Sequence, residues 1–464
     1  MTPRPDPRRR ATVDPARRAA YDVLHEVGAE GAYANLALRQ ILADRGLDGR
    51  DSAFTTELVM GCLRFRGTLD AVLAACVDRA LDRLDPRVLD VLRLGSYQIL
   101  HLATADHAAV SATVNLARSV AGEGPARLVN AVLRKVTRTD LSGWLDRITL
   151  TVPDPTEQLA VRYSHPAWMV AALRDALGGG DAAASRDEIE ALLARNNEAP
   201  VVTLVARPGL VDIEELLAAP GSEPGIYSPL AVRMAGGKPG SLPAVRQQRA
   251  GVQDEGSQLV TLAFLAAEVT GSDHRWLDLC AGPGGKAALL AALGAERGAQ
   301  LLAVEPRPAR AKLVQSALAR VAGHHQVVIA DGRAGPWRPG QFDRVLVDAP
   351  CTGLGVLRRR PESRWRRVPA DVPVLARLQR ELLSAAIDAV RPGGVVGYST
   401  CSPHIAETDL VVDDLLADRD DVEEIAAVPL LPDVPGLGDG DRVRLWPHRH
   451  DTDGMFLSIL RRTA

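Results

Sequence analysis

Five short apolar runs, separated by segments with helical spacing, occupy the C-terminal half of this chain. Near-continuous apolar strands that alternate with helices are typical of a parallel sheet that is covered on both faces. The pattern therefore predicts an α/β domain with a buried, Rossmann-like parallel sheet. The five runs lie at residues 276–279, 301–304, 327–329, 344–347 and 395–398.

The first run leads into a glycine-rich turn, Asp-Leu-Cys-Ala-Gly-Pro-Gly-Gly-Lys at 278–286, which opens an Ala/Leu-rich segment. Glycines let the backbone approach a ligand closely, and the start of the following helix offers unpaired amides. Neither the dinucleotide fingerprint nor the phosphate-binding loop is present, so a nucleoside without phosphate fits better. The predicted binding residues are Cys280, Ala281, Gly282, Pro283, Gly284, Gly285 and Lys286.

Acidic residues follow three successive predicted strands. Glu305 ends the second strand, where a carboxylate can accept both ribose hydroxyls, and Asp331 and Asp348 follow the third and fourth strands. The alternative is that each residue only caps the next helix. Three such residues in step with the glycine turn favour a ligand site at the carboxyl ends of the strands.

Two cysteines stand on predicted turns after strands. Cys351 follows a proline and Cys401 precedes Ser-Pro, whereas Cys62 and Cys76 have the apolar surroundings of inert core residues. Cys280 is interpreted as a wall of the nucleoside pocket. A thiolate is the reactive form of cysteine, so two thiols at one cleft indicate covalent chemistry. The five cysteines contain no Cys-x-x-Cys pair, which favours reduced thiols in a cytosolic enzyme and argues against structural zinc.

The length of 464 residues predicts more than one domain. Helical spacing, as in Ala20, Val23, Leu24 and Val27, dominates the N-terminal region. We predict a disordered basic tail over 1–14, an all-α domain over 15–140, a small α+β linker or RNA-binding region over 141–250 and the catalytic domain over 251–464.

Composition excludes several classes of protein. The apolar stretches are too short to span a membrane, and no apolar segment follows the arginine-rich N-terminus as in a secretory signal. A cytoplasmic, monomeric protein without metal or membrane partner is expected. The net charge is only −3, so a nucleic-acid partner would have to be recognised by local basic patches.

The motifs together resemble those of the Sun/NOL family of RNA cytosine-5 methyltransferases. The glycine turn is similar to the S-adenosylmethionine loop of that family, and residues 348–351 and 399–403 are similar to its Asp-Ala-Pro-Cys and Ser-Thr-Cys-Ser motifs. The match continues at 254–258, 391–394 and 453–456. Gly282, where alanine is commoner, and Met455, where phenylalanine is usual, are small departures.

The N-terminal region resembles NusB, on the segments 31–35, 54–61 and 94–98. A NusB-like domain ahead of a Sun-type catalytic domain is the architecture of the RsmB-like branch, which acts on small-subunit ribosomal RNA. The resemblance therefore implies S-adenosylmethionine as cofactor and small-subunit (16S) ribosomal RNA as partner.

The resemblance also implies roles for three residues. Cys401 would bond to carbon 6 of cytosine, because carbon 5 is too weak a nucleophile to accept a methyl group unaided. Asp348 would hydrogen-bond the edge of the base. Cys351 would allow loss of the carbon-5 proton and release of Cys401. The base must be single-stranded or flipped out to reach such a cleft.

An arginine-rich run follows Cys351. Such a run is usually a solvated face, but beside a catalytic loop, with an aromatic residue available for stacking, RNA contact is the better interpretation. The predicted RNA-binding residues are Arg358, Arg359, Arg360, Arg364, Trp365, Arg366 and Arg367.

Three alternatives stay open at this point. Transfer RNA could be the substrate, since the motifs belong to the cytosine chemistry rather than to the choice of RNA. A non-catalytic RNA-binding assembly or antitermination factor is a second reading, which the intact motif cysteines disfavour. An NAD-dependent oxidoreductase on the same type of sheet is a third, and the missing dinucleotide fingerprint disfavours it.

Overall fold

The structure is a computed structural model that describes residues 13–178, 186–438 and 440–464. The chain divides into two units, one of residues 1–171 with 360–366 and the other of residues 172–359 with 367–464. The first twelve residues of the predicted basic tail lie outside the described residues. Asp14 belongs to the fold, because its carboxylate accepts a hydrogen bond from the Arg17 amide (2.8 Å) and caps the first helix.

The first unit is all-α over its described residues, as the sequence predicts. The spacing of Ala20, Val23, Leu24 and Val27 places them on one buried face of the first helix. The helices up to residue 162 are α1 Pro15–Ala29, α2 Ala34–Asp44, α3 Gly49–Arg64, α4 Arg66–Cys76, α5 Pro86–His101, α6 Asp106–Ala121, α7 Glu123–Val136, α8 Leu141–Thr149 and α9 Pro155–Arg162.

The stretch predicted as a small α+β region is divided by the structure. Its helices α8 and α9 belong to the first unit, while its strands belong to the second. Four antiparallel strands form a small sheet in the order β2-β3-β1-β4. The elements are α10 Ala167–Leu177, α11 Arg186–Asn196, β1 Val202–Ala206, α12 Ile213–Leu217, β2 Ser222–Pro224, β3 Ala231–Met234, α13 Pro243–Arg246 and β4 Ala250–Val252.

The large sheet of the second unit contains all five predicted strands. Its order is β10-β12-β9-β8-β5-β6-β7, with β11 paired to β12. The remaining elements are α14 Glu255–Ala266, β5 Arg275–Asp278, α15 Gly285–Glu296, β6 Gln300–Val304, α16 Pro308–Leu318, β7 His324–Val328, β8 Phe342–Asp348, α17 Ser363–Arg366, α18 Asp371–Ala389, β9 Val390–Thr400, α19 Asp409–Asp418, β10 Val422–Ile425, β11 Val443–Leu445, α20 Pro447–His450 and β12 Met455–Arg462.

The parallel arrangement predicted for the five apolar runs is confirmed, and an antiparallel edge that was not predicted extends the sheet. Strands β5 to β9 are parallel, but β12 pairs antiparallel with β9, and β10 and β11 pair antiparallel with β12. The apolar runs predict strands but carry no information about direction, and no helical crossover returns the chain to the start of the sheet before β12.

The sheet is buried on both faces, as its apolar runs predict. In β8, Leu346 packs into the apolar cluster that contains α14 and α15, whereas Val345 and Val347 pack into the cluster that contains α18 and α19. The parallel strands therefore end at one protected edge, where open α/β sheets bind ligands. Within the described ranges, no helix is long and apolar enough to cross a membrane.

Candidate active site at the strand ends

The two motif cysteines meet where β8 and β9 end. These neighbouring strands are in parallel register, with Asp348 opposite Ser399, so the loops that follow them run side by side. The Sγ atoms of Cys351 and Cys401 are 3.4 Å apart, and both residues are half-buried. The structure thus brings together the two thiols that lie fifty residues apart in the sequence.

A lysine and a carboxylate stand beside the thiols. Lys286 Nζ, at the start of α15, donates to Asp348 Oδ2 (3.0 Å), and Ser399 Oγ donates to Asp348 Oδ1 (3.1 Å). Burial alone would lower the pKa of Lys286, but the charge of Asp348, its hydrogen bond and the nearby Cys401 raise this pKa above its usual value. Lys286 is therefore a buried ammonium that interacts with both Asp348 and Cys401.

The thiol of Cys351 is disposed to stay protonated. The contact with the Cys401 sulfur, burial and the charge of nearby groups hold the pKa of Cys351 well above its usual value. Two adjacent thiolates would repel each other, so the pair carries one negative charge more readily than two. Cys401 is the member of the pair that interacts with the Lys286 ammonium.

A buried carboxylate fastens the two cysteine loops to each other. Glu407, which is fully buried, accepts hydrogen bonds from Thr352 N (2.8 Å), Thr352 Oγ1 and Gln379 Nε2 (3.2 Å). Thr352 Oγ1 also lies 3.0 Å from Ser402 Oγ. Thr352 and Ser402 each follow a motif cysteine directly, so this network fixes the loops that carry the thiols.

Two glycines bring a third loop against the first two. Gly355 N donates to Cys401 O (2.9 Å), and Gly454 N donates to Gly355 O (2.8 Å). A Cβ on Gly355 would lie 2.0 Å from Gly454 O and 2.8 Å from Cys401 O. Only glycine permits this approach, which explains why the segment 453–456 belongs to the same motif set as the cysteines.

The glycine turn after β5 has the close approaches that its sequence predicts. Gly284 has a φ of +112°, and a Cβ at this position would lie 2.7 Å from the Ala317 Cβ. A Cβ on Gly282 would lie 2.0 Å from Glu305 Oε2. Glu305 is buried, at the end of β6, and accepts from the Arg307 amide (3.0 Å). The turn, the start of α15 and Glu305 form one cradle.

Asp278, the last residue of β5, was not among the predicted site residues. It is 1% exposed, and its Oδ2 atom has no hydrogen-bond partner among the described residues. Burial, and next the charge of Asp348, raise the pKa of Asp278 to about 7. Its position directly before the Leu-Cys of the turn is the sequence signal that could have identified it.

Cys280 and Asp331, which were also predicted as site residues, differ from each other in exposure. Cys280 is half-buried, and burial and nearby carboxylates hold its pKa well above its usual value. Asp331 is exposed and pairs with Arg333 (2.6 Å), which lowers the pKa of the carboxyl. A role for either residue in cofactor binding remains a prediction.

The predicted RNA-binding arginines separate into two groups. Arg358 is 1% exposed and pairs with Asp451 (2.9 Å), while Arg359 pairs with Asp453 (3.0 Å) and with Asp254. These partners lie in the second unit. The guanidinium groups of Arg358 and Arg359 thus bind carboxylates of the protein itself, and RNA contact by these two residues stays a prediction.

Residues 360–366 pack with the helical unit instead. Arg364 is fully buried and donates to the carbonyl oxygens of Arg64 (2.9 Å) and Ser164 (3.0 Å), and Trp365 Nε1 donates to Leu63 O (2.9 Å). Arg364 and Trp365 are therefore used in packing within this unit, and RNA contact by either residue stays a prediction. Arg360 is exposed, whereas Arg366 and Arg367 are half-buried and donate to the carbonyl oxygens of Ala32 and Cys351, and RNA contact by these three residues also stays a prediction.

The fold and the site define a class of protein: an α/β methyltransferase domain that is joined to an all-α NusB-like domain. The model of the 16S rRNA methyltransferase RsmB/F family matches residues 266–461, and that of the NusB family matches residues 14–138.

Full-length relatives agree with this assignment. The chain is 52% identical over 464 residues to the provisionally named methyltransferase Rv1407 of Mycobacterium tuberculosis strain H37Rv, with 100% of each chain covered. It is 31% identical over 458 residues to a provisionally named ribosomal RNA small subunit methyltransferase B of Bacillus subtilis strain 168, which covers 96% of this chain and 98% of that protein. The chain belongs to the RsmB/F methyltransferase family.

Solved structures share the fold. The crystal structure of PH0851 matches with a TM-score of 0.77 at 22% identity, over 97% of this chain and 99% of that one. NSun6 from Pyrococcus horikoshii, crystallised with SFG, matches with a TM-score of 0.52 at 18% identity, over 64% of this chain and 98% of that one.

Proposed function

We propose that this chain methylates carbon 5 of a cytosine in small-subunit (16S) ribosomal RNA, with S-adenosylmethionine as methyl donor and a covalent bond between Cys401 and the base. The observation that carries the proposal is the contact of the Cys351 and Cys401 sulfurs, 3.4 Å apart, beside the Lys286–Asp348 pair. One thiol suffices for nucleophilic attack. A second thiol in contact with it supports a reaction in which the covalent bond must also be broken.

The cradle beside the thiols fits an adenosyl group. Gly282 and Gly284 leave space where a side chain would collide with Glu305 or Ala317, and Glu305 ends β6 at the distance along the chain that suits ribose hydroxyls. The unpartnered Asp278 Oδ2 atom offers a further buried polar contact. When bound, S-adenosylmethionine would supply the electrophilic methyl group, and its lack of phosphate agrees with the absence of a phosphate-binding loop.

Attack on the base requires a thiolate and positive charge nearby. The Lys286 ammonium, held by Asp348 (3.0 Å), supplies the positive charge at this site. Cys401 then bonds to carbon 6 of the cytosine, which makes carbon 5 nucleophilic. Asp348 hydrogen-bonds the edge of the base and supports protonation of its ring nitrogen, and Lys286 and Ser399 hold Asp348 in place.

Release of the product requires a base. Once Cys401 is bonded to carbon it no longer carries a thiolate charge, so its hydrogen bond and its charge, two of the causes that raise the pKa of Cys351, are removed. Cys351 can then ionise and accept the carbon-5 proton. The electrons of the broken C–H bond restore the ring double bond, and Cys401 leaves from carbon 6 as a thiolate.

The choice of RNA is supported by the relatives and the domain content. Relatives that cover nearly the whole chain are named as small-subunit ribosomal RNA methyltransferases, including one of Vibrio vulnificus that is 29% identical. The helical domain that accompanies the catalytic domain matches the NusB family. Transfer RNA is the alternative that the test below distinguishes.

The test is methyl transfer from labelled S-adenosylmethionine to protein-free small-subunit ribosomal RNA and, separately, to bulk transfer RNA. We expect ribosomal RNA to be labelled at carbon 5 of a cytosine, and Cys401→Ala to abolish the labelling. Cys76→Ala, in the helical unit, is the matched control and should retain it. Labelling of transfer RNA alone would refute the ribosomal assignment, and labelling that survives Cys401→Ala would refute the covalent mechanism.

A further inference from the structure

We propose that Cys351 and Cys401 also form a reversible redox pair, in which peroxide oxidises one thiol and the other closes a disulfide bond. The proposal concerns the chemical state of the protein itself. It requires neither RNA nor methyl transfer, so it stands or fails independently of the proposed function.

The backbone places the two cysteines within disulfide range. They lie just beyond neighbouring parallel strands, in which Asp348 is in register with Ser399. Adjacent strands are about 4.8 Å apart, and the Cα atoms of a disulfide are about 4.4–6.8 Å apart. The sulfurs, already at 3.4 Å, must close by roughly 1.3 Å to form a bond of about 2.05 Å. Small side-chain rotations can supply this movement.

The loops keep the two thiols together. The Glu407 carboxylate binds Thr352, and Thr352 Oγ1 lies 3.0 Å from Ser402 Oγ, so the residues that follow the two cysteines are tied to each other. Gly355 N holds the Cys401 carbonyl from the other side (2.9 Å). A pair of thiols held in contact has a high effective concentration, which favours the intramolecular disulfide over reaction with other thiols.

The other cysteines are poorer candidates for oxidation. Cys62 and Cys76 are buried in the helical unit, and burial raises the pKa of both thiols and of Cys280. Cys351 and Cys401 are half-buried, and Cys401 interacts with the Lys286 ammonium. The pKa of Cys351 is held well above its usual value by the contact with the Cys401 sulfur and by burial, so Cys401 is the expected first target of peroxide.

The chemistry balances with hydrogen peroxide as the named oxidant. The Cys401 thiolate attacks one peroxide oxygen, the O–O bond breaks, and a sulfenic acid and hydroxide form. The Cys351 sulfur then attacks the Cys401 sulfur, the S–O bond breaks, and the sulfenic hydroxyl leaves with the proton of the Cys351 thiol as water. In total, two thiols lose two electrons and two protons, and peroxide is reduced to two molecules of water.

This pairing gives Cys351 a protective role. A sulfenic acid without a neighbouring thiol is oxidised further to sulfinic acid, which thiol reductants do not reverse. Closure of the disulfide stops the oxidation at a stage that a dithiol can reduce. Cys401 would therefore survive oxidation in a recoverable form.

The experiment treats the full-length protein with hydrogen peroxide in the absence of RNA and S-adenosylmethionine. Peptide mapping by mass spectrometry should find a peptide pair joined through Cys351 and Cys401, lighter by two hydrogens than the separate thiol peptides. Dithiothreitol should restore both thiols. Cys76→Ala is the matched control and should form the same link, since Cys76 lies outside the pair.

The variant Cys351→Ser tests the protective role. After peroxide treatment of this variant, dithiothreitol should no longer restore the Cys401 thiol, and the Cys401 peptide should be heavier by two oxygens. The wild-type peptide map keeps the proposal testable even if this variant folds poorly. A disulfide that joins Cys280 to either residue, Cys401 oxidised to sulfinic acid in the wild type, or both thiols unchanged while free glutathione is oxidised would each overturn the proposal.

Discussion

Gly355→Ala tests whether backbone contacts between the active-site loops set the position of Cys401. The new Cβ would lie 2.0 Å from Gly454 O, a backbone atom, and real Cβ contacts below 3.0 Å are essentially absent. The two segments must therefore move apart by about 1 Å, and Gly355 N holds the Cys401 carbonyl, so the displacement reaches the nucleophile.

The expected loss of rate follows from that displacement. A misplacement of about 1 Å costs on the order of 100-fold in rate, because a reacting atom must be held close to its attack geometry. We expect Gly355→Ala to lower the single-turnover rate of methyl transfer by about 100-fold at saturating RNA and S-adenosylmethionine.

The matched control is Gly240→Ala, an exposed position where a Cβ would have nothing within 4 Å. It should stay within about twofold of wild type. Thermal unfolding of both variants separates loss of fold from loss of geometry. A folded Gly355→Ala variant with a rate within about threefold of wild type would refute the argument that this loop contact positions Cys401.

Three further variants test other parts of the site. Lys286→Met removes the ammonium from Asp348 and Cys401 and should lower the single-turnover rate by about 100- to 1,000-fold. Lys312→Met, on an exposed position of α16, is the control and should keep the wild-type rate. Equal rates for the two variants would contradict the role assigned to Lys286. Thr352→Val removes the hydroxyl that binds Glu407 and should destabilise the second unit by about 1.5–3 kcal/mol, measured as a lower calorimetric Tm. The control is Thr261→Val, whose hydroxyl donates to Ser257 O within its own helix. Asp278 has a pKa of about 7 in the folded protein, so the folded state binds its proton more tightly, and the stability that this proton contributes is lost as pH rises from about 4 to 7. Asp278→Asn lacks this titration, and the Tm of the wild type should fall relative to the variant over that range and stay parallel above it; a constant difference would show that the carboxyl does not titrate there.

Much of the second unit is predictable from local pattern. The buried runs of β5, β6, β8 and β9 carry few charges, of which Asp343 and Arg344 lie inside β8, and the turns that end them contain glycine or proline. The direction of β12 was not predictable, because an apolar strand such as Met455–Arg462 fits either orientation and the pairing partner decides it.

The residues that support the site were harder to predict from the sequence. Glu407 lies in an ordinary polar segment six residues after Cys401, and only the folded chain shows that its carboxylate binds the backbone beside Cys351. The partners of the arginine run were equally hidden in the sequence. Local charge suggests a solvated or RNA-binding surface, but the partners of Arg358 and Arg364 come from residues far away in the sequence.

The central claim is that two thiols share one covalent reaction, and the most direct measurement is trapping of a protein–RNA adduct. Cys351→Ala, incubated with small-subunit ribosomal RNA and S-adenosylmethionine, should accumulate a complex that survives denaturing electrophoresis, because Cys401 can bond to the base but cannot be released. Cys351→Ala combined with Cys401→Ala should yield none. A complex that persists without Cys401, or free turnover by Cys351→Ala at the wild-type rate, would contradict the account.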